Sequence, residues 1–217
     1  MPNIQRLIAA PGFRFILAGG GVFLLGLALN SNLLAFLGLL GAGFFAYFFR
    51  DPERQIPEDP ALIVSPADGK VVFVDEVREE KFLGRPARRV AIFMNVFDVH
   101  VNRAPVAGTV AASSHRPGKF KVACRPEAAE VNEQQATLLE NDEGRVLVVQ
   151  IAGLLARRII SYVKPGQKLE RGERLGMICF GSRVDLYLPP EAEILVKVGD
   201  RVKAGSSVVA RWWLNAA

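Results

Sequence analysis

The sequence contains few of the side chains that most protein chemistry uses. Its 217 residues include two cysteines, Cys124 and Cys179, and two histidines, His100 and His115. Two cysteines without a CxxC spacing exclude a disulfide framework and a cysteine-rich zinc site, and they favour a reducing compartment. A zinc hydrolase would use both histidines as ligands and leave none for acid–base catalysis. We therefore expect no metal.

Charge is absent from a long N-terminal segment. No charged residue lies between Arg14 and Arg50, and one helix of that length would reach about 50 Å, against a hydrocarbon core of about 30 Å. The polar triplet at 30–32, Asn-Ser-Asn, divides the segment into two runs of about 16 or 17 residues, near the lower limit for spanning. The pattern predicts a membrane-anchoring helical hairpin over residues 1–50. A re-entrant hairpin and a cleaved signal peptide are the alternatives, the second being disfavoured because another apolar run follows at once.

Basic residues flank this hairpin on both sides, with Arg6 and Arg14 before it and Arg50 and Arg54 after it. The positive-inside rule then puts both ends in the cytoplasm, and the rest of the chain on the cytoplasmic side of the cell membrane. The formal net charge of +5 suits anionic lipid, to which each nearby basic residue contributes about 1 kcal/mol. The basic residues are scattered rather than arranged in a stripe with aromatics, so we expect no nucleic-acid partner.

The composition changes after the hairpin. Residues 51–64 are rich in proline and charge and predict a linker, and residues 65–217 contain short β-branched runs separated by glycine and proline, such as LIVSPADGKVVFV and RVLVVQIAG. Such runs predict strands. The polar stretch RPEAAEVNEQQATLLEN at 125–141 predicts a loop or short helix over the sheet. The expected fold class is therefore mainly β with short helices, preceded by the α-helical hairpin.

Two internal echoes support a compact barrel-sandwich. VKPGQKLERGERL at 163–175 recurs as VKVGDRVKAGSSV at 196–208, and PADGKV at 66–71 resembles PVAGTV at 105–110. Glycines at fixed offsets between short apolar steps indicate repeated turns. Similar turns occur in modules that carry lipoyl or biotinyl groups, so a membrane-tethered, non-catalytic carrier or binding module is an alternative function. Neither repeat clearly places a lysine at a hairpin tip, as such a carrier requires.

Few residues remain that could carry chemistry. In NVFDVHVNRAP, Asp98 and His100 are two residues apart and would point to the same side of a strand. The carboxylate could then orient the imidazole and raise its basicity, as a base that activates a hydroxyl requires; a purely structural histidine is the alternative. His115 is expected at the surface. In GMICFGSRVDLYLP, the pair Gly181 and Ser182 would ordinarily indicate a bulge with a locally bonded serine.

The order of several motifs gives this pair another meaning. FFRDPER, SPADGKV, MNVFDVHVNRAPVAGTV, QIAGLLARRII and GERLGMICFGSRVDLYLP follow one another along the chain, and this order resembles the short bacterial and archaeal phosphatidylserine decarboxylase proenzymes. The resemblance implies that the chain cuts its own bond between Gly181 and Ser182, and that fragments 1–181 and 182–217 stay together as a heterodimer. Ser182 would become a covalent pyruvoyl group, the only cofactor, which forms a Schiff base with phosphatidylserine and releases CO₂ to give phosphatidylethanolamine.

In this resemblance, Asp68 and His100 match positions that the family uses around this centre. The predicted catalytic residues are Ser182, His100, Asp68 and Asp98. Arg103 and Arg183 are the predicted ligands of the substrate phosphate, with a solvated surface arginine as the alternative for each. Arg103 stands where longer relatives have a second histidine, and Arg183 stands where they have serine or threonine. His100 alone would therefore serve both self-cleavage and the later protonation, oriented by Asp68 or Asp98.

Overall fold

A computed structural model describes residues 7–154, 158–179 and 181–213. Arg6, which entered the orientation argument, lies outside the described residues, as do positions 155–157 of the QIAGLLARRII motif. Contacts divide the chain into two compact units, Met1–Glu53 and Arg54–Ala217.

The N-terminal unit is the predicted pair of helices. Helix α1 spans Phe13–Ala28 and α2 spans Asn32–Phe48, and the break between them falls at the polar triplet as predicted. Asn30 adopts a φ of 51°, and the Ser31 hydroxyl accepts a hydrogen bond from the Leu34 amide at 3.4 Å, which caps α2. The segment Ala10–Ala28 has 19 residues and a mean hydropathy of 1.5, which is long and apolar enough to cross a membrane; Asn32–Phe48 is apolar but shorter.

The second unit is mainly β, which confirms the predicted fold class. Its described strands are β1 Leu62–Val64, β2 Gly69–Glu79, β3 Arg85–Met94, β4 Val101–Arg103, β5 Gly108–Arg116, β6 Gln134–Asn141, β7 Gly144–Ile151, β8 Ile159–Ser161, β9 Lys168–Leu169, β10 Arg174–Ile178, β11 Ser182–Leu188, β12 Glu193–Ile194, β13 Arg201–Val202 and β14 Val208–Arg211. A short helix, α3, spans Ala128–Val131. The strands form an eight-stranded sheet in the order β13-β2-β3-β11-β7-β6-β5-β9 and two three-stranded sheets, β1-β14-β12 and β4-β10-β8.

The main core lies on one face of the eight-stranded sheet. On β11, alternate residues Val184, Leu186 and Leu188 are buried in it together with Ile92 of β3 and Val148 of β7. Side chains of a strand point alternately to its two faces. Ser182 therefore shares the core face with Val184, whereas Arg183 and Asp185 occupy the other face.

One row of paired residues crosses seven strands of this sheet. From β13 to β5 the row is Arg201, Lys70, Phe93, Arg183, Ile151, Gln134 and Arg116. At this row β7 ends, β3 has one residue left and β11 has just begun. We call this edge of the sheet, with the loops that continue from it, the Ser182 end.

Two segments differ from the sequence-based prediction. Residues 125–141 contain the short helix α3 but continue into β6, which lies between β5 and β7 and buries Leu138 and Leu139. The predicted loop is wrong there. The strand is covered on both faces, and the polar residues that flank it in the sequence obscure its apolar pattern. Residues 54–64, predicted as linker, belong to the second unit. They include β1, and the Arg171 side chain donates to the Leu62 carbonyl at 2.8 Å.

The internal echoes of the sequence correspond to equivalent turns. Four glycines of the repeats have positive φ, and their amides donate to carbonyls at equivalent positions, either at the end of a shorter echo segment or directly before its start. The pairs are Gly166 with Val110, Gly199 with Val71, Gly172 with Ala104 and Gly205 with Ser65, at 2.8 to 2.9 Å. The second unit is thus built around an approximate internal duplication.

Candidate active site

Ser182 is the first residue of β11 and is fully buried. It lies opposite Met94, the last residue of β3, and its hydroxyl donates to the Met94 sulfur at 3.5 Å. Gly181 precedes it with a φ of +61°, a conformation that glycine adopts without the penalty of a Cβ. The predicted cleavage bond therefore lies at a sharp bend at the start of a buried strand.

Gly153, which sequence reasoning missed, packs directly on the Gly181 carbonyl. A Cβ built on Gly153 would lie 1.9 Å from the Gly181 oxygen and 3.3 Å from the Ala123 Cβ. No side chain fits at that distance, so glycine is required at position 153 for the carbonyl to occupy its present place. The sequence signal was faint: a glycine directly after the strand RVLVVQIA.

His100 precedes β4 and is fully buried. Its carbonyl accepts a hydrogen bond from the amide of Ile178, the last residue of β10, at 3.3 Å. Two residues after His100, the side-chain amide nitrogen of Asn102 lies 3.6 Å from the Met94 sulfur, which Ser182 also contacts. Met94 therefore connects Ser182 with Asn102, on the strand that His100 enters.

Gln150 completes this buried polar cluster. Its amide donates to the Asn102 side-chain oxygen at 2.8 Å, and both residues are at most 2% exposed. Gly176 leaves space for the Gln150 side chain, because a Cβ there would lie 3.2 Å from the amide nitrogen. Asn102 and Gln150 were not predicted; Gln150 is the lone polar residue in the apolar run VLVVQIAG, and that was the available signal.

The two predicted carboxylates each bind a guanidinium. Asp68 accepts from Arg54 at 2.9 and 3.0 Å and from the Ala204 amide at 2.8 Å. Asp98 accepts from Arg201 at 2.6 Å and from the Asn95 amide at 2.9 Å. Asp98 lies in the turn after β3 rather than in a strand. The premise that strand alternation puts Asp98 beside His100 is therefore wrong, because the chain turns between β3 and β4.

The two predicted phosphate ligands point away from the cluster. Arg103 follows Asn102 on β4, and its guanidinium donates to the Gly172 carbonyl at 2.9 Å. Arg183 is fully buried on the face of β11 opposite Ser182 and binds Asp185 in a bidentate pair at 2.7 and 2.9 Å. Neither is the solvated surface arginine of the alternative interpretation.

Arg183 also holds a loop of the Ser182 end. Its remaining terminal nitrogen donates to the carbonyls of Ala123 and Arg125 at 3.2 and 3.0 Å. Burial raises the pKa of Asp185, and the adjacent positive charge of Arg183 opposes that shift. Burial, together with the charge of Asp185, raises the pKa of Tyr187 to about 12.

His115 lies on β5, and its exposed ring contacts the Glu133 carboxylate at 3.1 Å. Within residues 7–154, 158–179 and 181–213, no group of three or more His, Cys, Asp and Glu side chains is placed to hold a metal ion.

Comparison with known proteins identifies the family. The sequence pattern of the family described as phosphatidylserine decarboxylase matches residues 42–210. A phosphatidylserine decarboxylase proenzyme of Symbiobacterium thermophilum is 49% identical over 213 residues, which cover 97% of this chain and 99% of the relative. Proteins of the same name from Syntrophus aciditrophicus and Desulfotalea psychrophila are 48% identical over 205 residues (94% and 96% covered) and 43% identical over 208 residues (95% and 97% covered). The chain belongs to the phosphatidylserine decarboxylase family, which confirms the resemblance and makes it a member of an enzyme family rather than of a family of carrier modules.

Proposed function

We propose that this chain decarboxylates phosphatidylserine to phosphatidylethanolamine with a pyruvoyl group that it generates from Ser182. Membership of the family supports the reaction, and the word proenzyme in the relatives' names supports a processed chain. The observation that carries the proposal is the bond between Gly181 and Ser182: a buried serine follows a glycine whose carbonyl is held against Gly153.

The self-cleavage would begin at this bond. The Ser182 hydroxyl attacks the Gly181 carbonyl carbon while His100 takes the hydroxyl proton, and the peptide C–N bond breaks as the amide becomes an ester. Loss of the Ser182 α-proton then expels the Gly181 carboxylate and leaves a dehydroalanine. Water replaces its nitrogen, which leaves as ammonia, and the residue becomes the pyruvoyl group. Left-handed backbone at Gly181 and close contact at Gly153 would hold the carbonyl for the attack.

The buried cluster suits a carbonyl group at position 182. The side-chain amide nitrogen of Asn102 lies within reach of the Met94 thioether. A thioether is a weak acceptor, so this nitrogen can still donate a hydrogen bond to an oxygen at position 182. Gln150 holds Asn102 in that orientation through its own amide. When formed, the group supplies an electrophile for the substrate amine and a sink for the electron pair that CO₂ leaves behind. His100 would return a proton to the substrate carbon.

We also propose roles for the remaining predicted residues and for the hairpin. Asp68 or Asp98 would orient His100, each as a carboxylate that already binds an arginine. Phosphate binding by Arg103 or Arg183 would require exchange of the bonds described above. The hairpin would anchor the chain in the cell membrane, with its flanking Arg14 and Arg50 on the cytoplasmic side. An anchor at 1–50 and a catalytic domain at 65–217 that is cut after residue 181 are part of this proposal; residues 54–64 of the predicted linker 51–64 belong to the second unit.

The mass of the purified protein tests self-cleavage. We expect a fragment 1–181 and a 36-residue fragment (217 − 181) whose N-terminus is blocked to Edman chemistry and reacts with carbonyl reagents. Ser182→Ala should stay intact and fail to release CO₂ from phosphatidylserine, whereas Ser206→Ala, in a turn of the second unit, should cleave normally. An intact wild-type chain that nevertheless releases CO₂ would contradict the pyruvoyl mechanism.

A further inference from the structure

Three loops at the Ser182 end expose large apolar side chains. Phe97 is 65% exposed at the tip of the turn after β3, Leu154 is 58% exposed after β7, and Val122 is 41% exposed in the segment between β5 and α3. The turn that carries Phe97 is tight, because the Asp98 amide donates to the Asn95 carbonyl and the Phe97 amide to the Asn95 side chain. A single exposed phenylalanine is ordinary on a protein surface, whereas several exposed apolar side chains grouped together mark an interaction site.

The contacts around the cleavage bond place these loops together. Met94, opposite Ser182, is three residues before Phe97. Gly153, adjacent to Leu154, is in contact distance of both the Gly181 carbonyl and Ala123, the neighbour of Val122. The exposed apolar side chains therefore extend from the same edge of the sheet at which the cleavage bond lies.

The exposed charges at this edge are mostly positive. The exposed basic residues include Lys70 and Arg201 in the row of pairs, Lys119, Lys121 and Arg125 before α3, and Arg158 after β7. The corresponding exposed acidic residues are Glu127 and Glu130. At the other end of the sheet the charges are mixed: Asp142 and Glu143 in the turn between β6 and β7 are exposed, and so are Lys81, Arg145, Lys164 and Lys168. The charge is thus unevenly distributed along the strands.

We infer that the Ser182 end of the second unit is a docking surface for an anionic lipid bilayer. Phe97, Leu154 and Val122 insert among the headgroups. Lys119, Lys121 and Arg158 lie against lipid phosphates. Apolar side chains within a basic surrounding are the chemistry of interfacial membrane binding. The orientation deepens the proposed function, because it presents the Ser182 end to a substrate that lies in the bilayer. It is separate from anchoring by the hairpin.

Tryptophan quenching in the full-length chain tests the orientation. Phe97→Trp, Leu154→Trp and Glu143→Trp are reconstituted in vesicles of phosphatidylglycerol and phosphatidylcholine, the latter brominated on its acyl chains, and the signal of the unmodified chain is subtracted. Headgroup-level insertion predicts at least about twofold more quenching in the first two variants than in Glu143→Trp. Equal quenching in Phe97→Trp and Glu143→Trp would overturn the inference, and quenching that rises with protein concentration but needs no bromine would indicate a second copy of the chain and also overturn it.

Paired charge reversals test the electrostatic part. Lys119→Glu with Lys121→Glu, added to Phe97→Trp, should abolish the extra quenching. Lys164→Glu with Lys168→Glu changes the net charge equally, but these residues lie at β9, which pairs with the start of β5 at the other end, so the quenching should persist. If both pairs reduce it equally, net charge rather than a defined surface is responsible and the inference fails.

These readouts do not depend on turnover. Phosphatidylglycerol has no amine and is not a substrate of the proposed reaction. Quenching as expected in a chain that releases no CO₂ would reject only the proposed function, and CO₂ release without the quenching difference would reject only the docking surface.

Discussion

Arg183 and Asp185 form a bidentate ion pair on one face of β11, with nitrogen–oxygen distances of 2.7 and 2.9 Å and both side chains fully buried. Arg183 follows the proposed pyruvoyl residue directly, and it also holds the carbonyls of Ala123 and Arg125. After cleavage of the preceding bond, these contacts would keep the new end of the small fragment and the neighbouring loop in place. The arginine predicted as a phosphate ligand thus has a structural task in this fold.

Loss of one partner of this pair should be costly. Asp185→Asn leaves a buried guanidinium without its carboxylate, and we expect about 3 to 5 kcal/mol less free energy of unfolding. Asp75→Asn is the matched control: Asp75 pairs with Arg89 at 2.9 Å, but its side chain is 40% exposed, so the loss should be below about 1 kcal/mol. Urea unfolding of the detergent-solubilised, uncleaved Ser182→Ala chain, followed by tryptophan fluorescence, measures both. Equal losses would mean that the buried pair is no more important than the exposed one.

Tyr187 should cause an alkaline loss of stability. Its pKa is raised from 10.0 to about 12 in the fold, so the unfolded chain loses the phenolic proton first as the pH rises. The free energy of unfolding should therefore be unaffected by this group below pH 10 and should fall between pH 10 and 12, by about 1 to 3 kcal/mol. Tyr187→Phe should lack this decrease. The difference in phenolate absorbance between the two chains reports the titration, and a midpoint near 10 would contradict the raised pKa.

Gly153→Ala should block maturation while the chain still folds. The added methyl group would meet the Gly181 oxygen at 1.9 Å and displace the carbonyl that Ser182 attacks. Displacement by about 1 Å typically lowers a rate about 10²-fold. Gly41→Ala, in α2 where a Cβ has nothing within 4 Å, is the control and should mature normally. The time course of fragment appearance on a gel measures both; a wild-type rate for Gly153→Ala would show that the contact has no role in cleavage.

His100→Ala should slow self-cleavage by about 10² to 10⁴-fold, the usual contribution of a positioned acid–base group. His115→Ala, which removes an exposed ring next to Glu133, should mature at the normal rate. Mass spectrometry of each chain during incubation follows the reaction. Normal cleavage of His100→Ala would assign the base to Asp68 or a water molecule and would leave the pyruvoyl mechanism itself unaffected.

Local sequence signals were sufficient for the two helices of the hairpin and for the repeated turns. An uncharged apolar segment can be recognised without any tertiary contact, and the polar triplet at 30–32 interrupts the helix in any environment. The glycines of the repeats have positive φ because the turns require it, and this requirement is visible as fixed spacing. Motif order was enough to identify the family.

Only the tertiary structure decided which side chains surround Ser182. Strand alternation separates neighbours in sequence, so Arg183 faces away from the site although it adjoins Ser182, and the turn after β3 removes Asp98 from the strand that His100 enters. Gly153, Asn102 and Gln150 come from distant segments, and each is ordinary in its local context. The sequence shows which side chains are available and where the backbone can bend. The distances between these segments depend on the pairing of β3, β7 and β11, and burial of the whole core determines that long-range pairing.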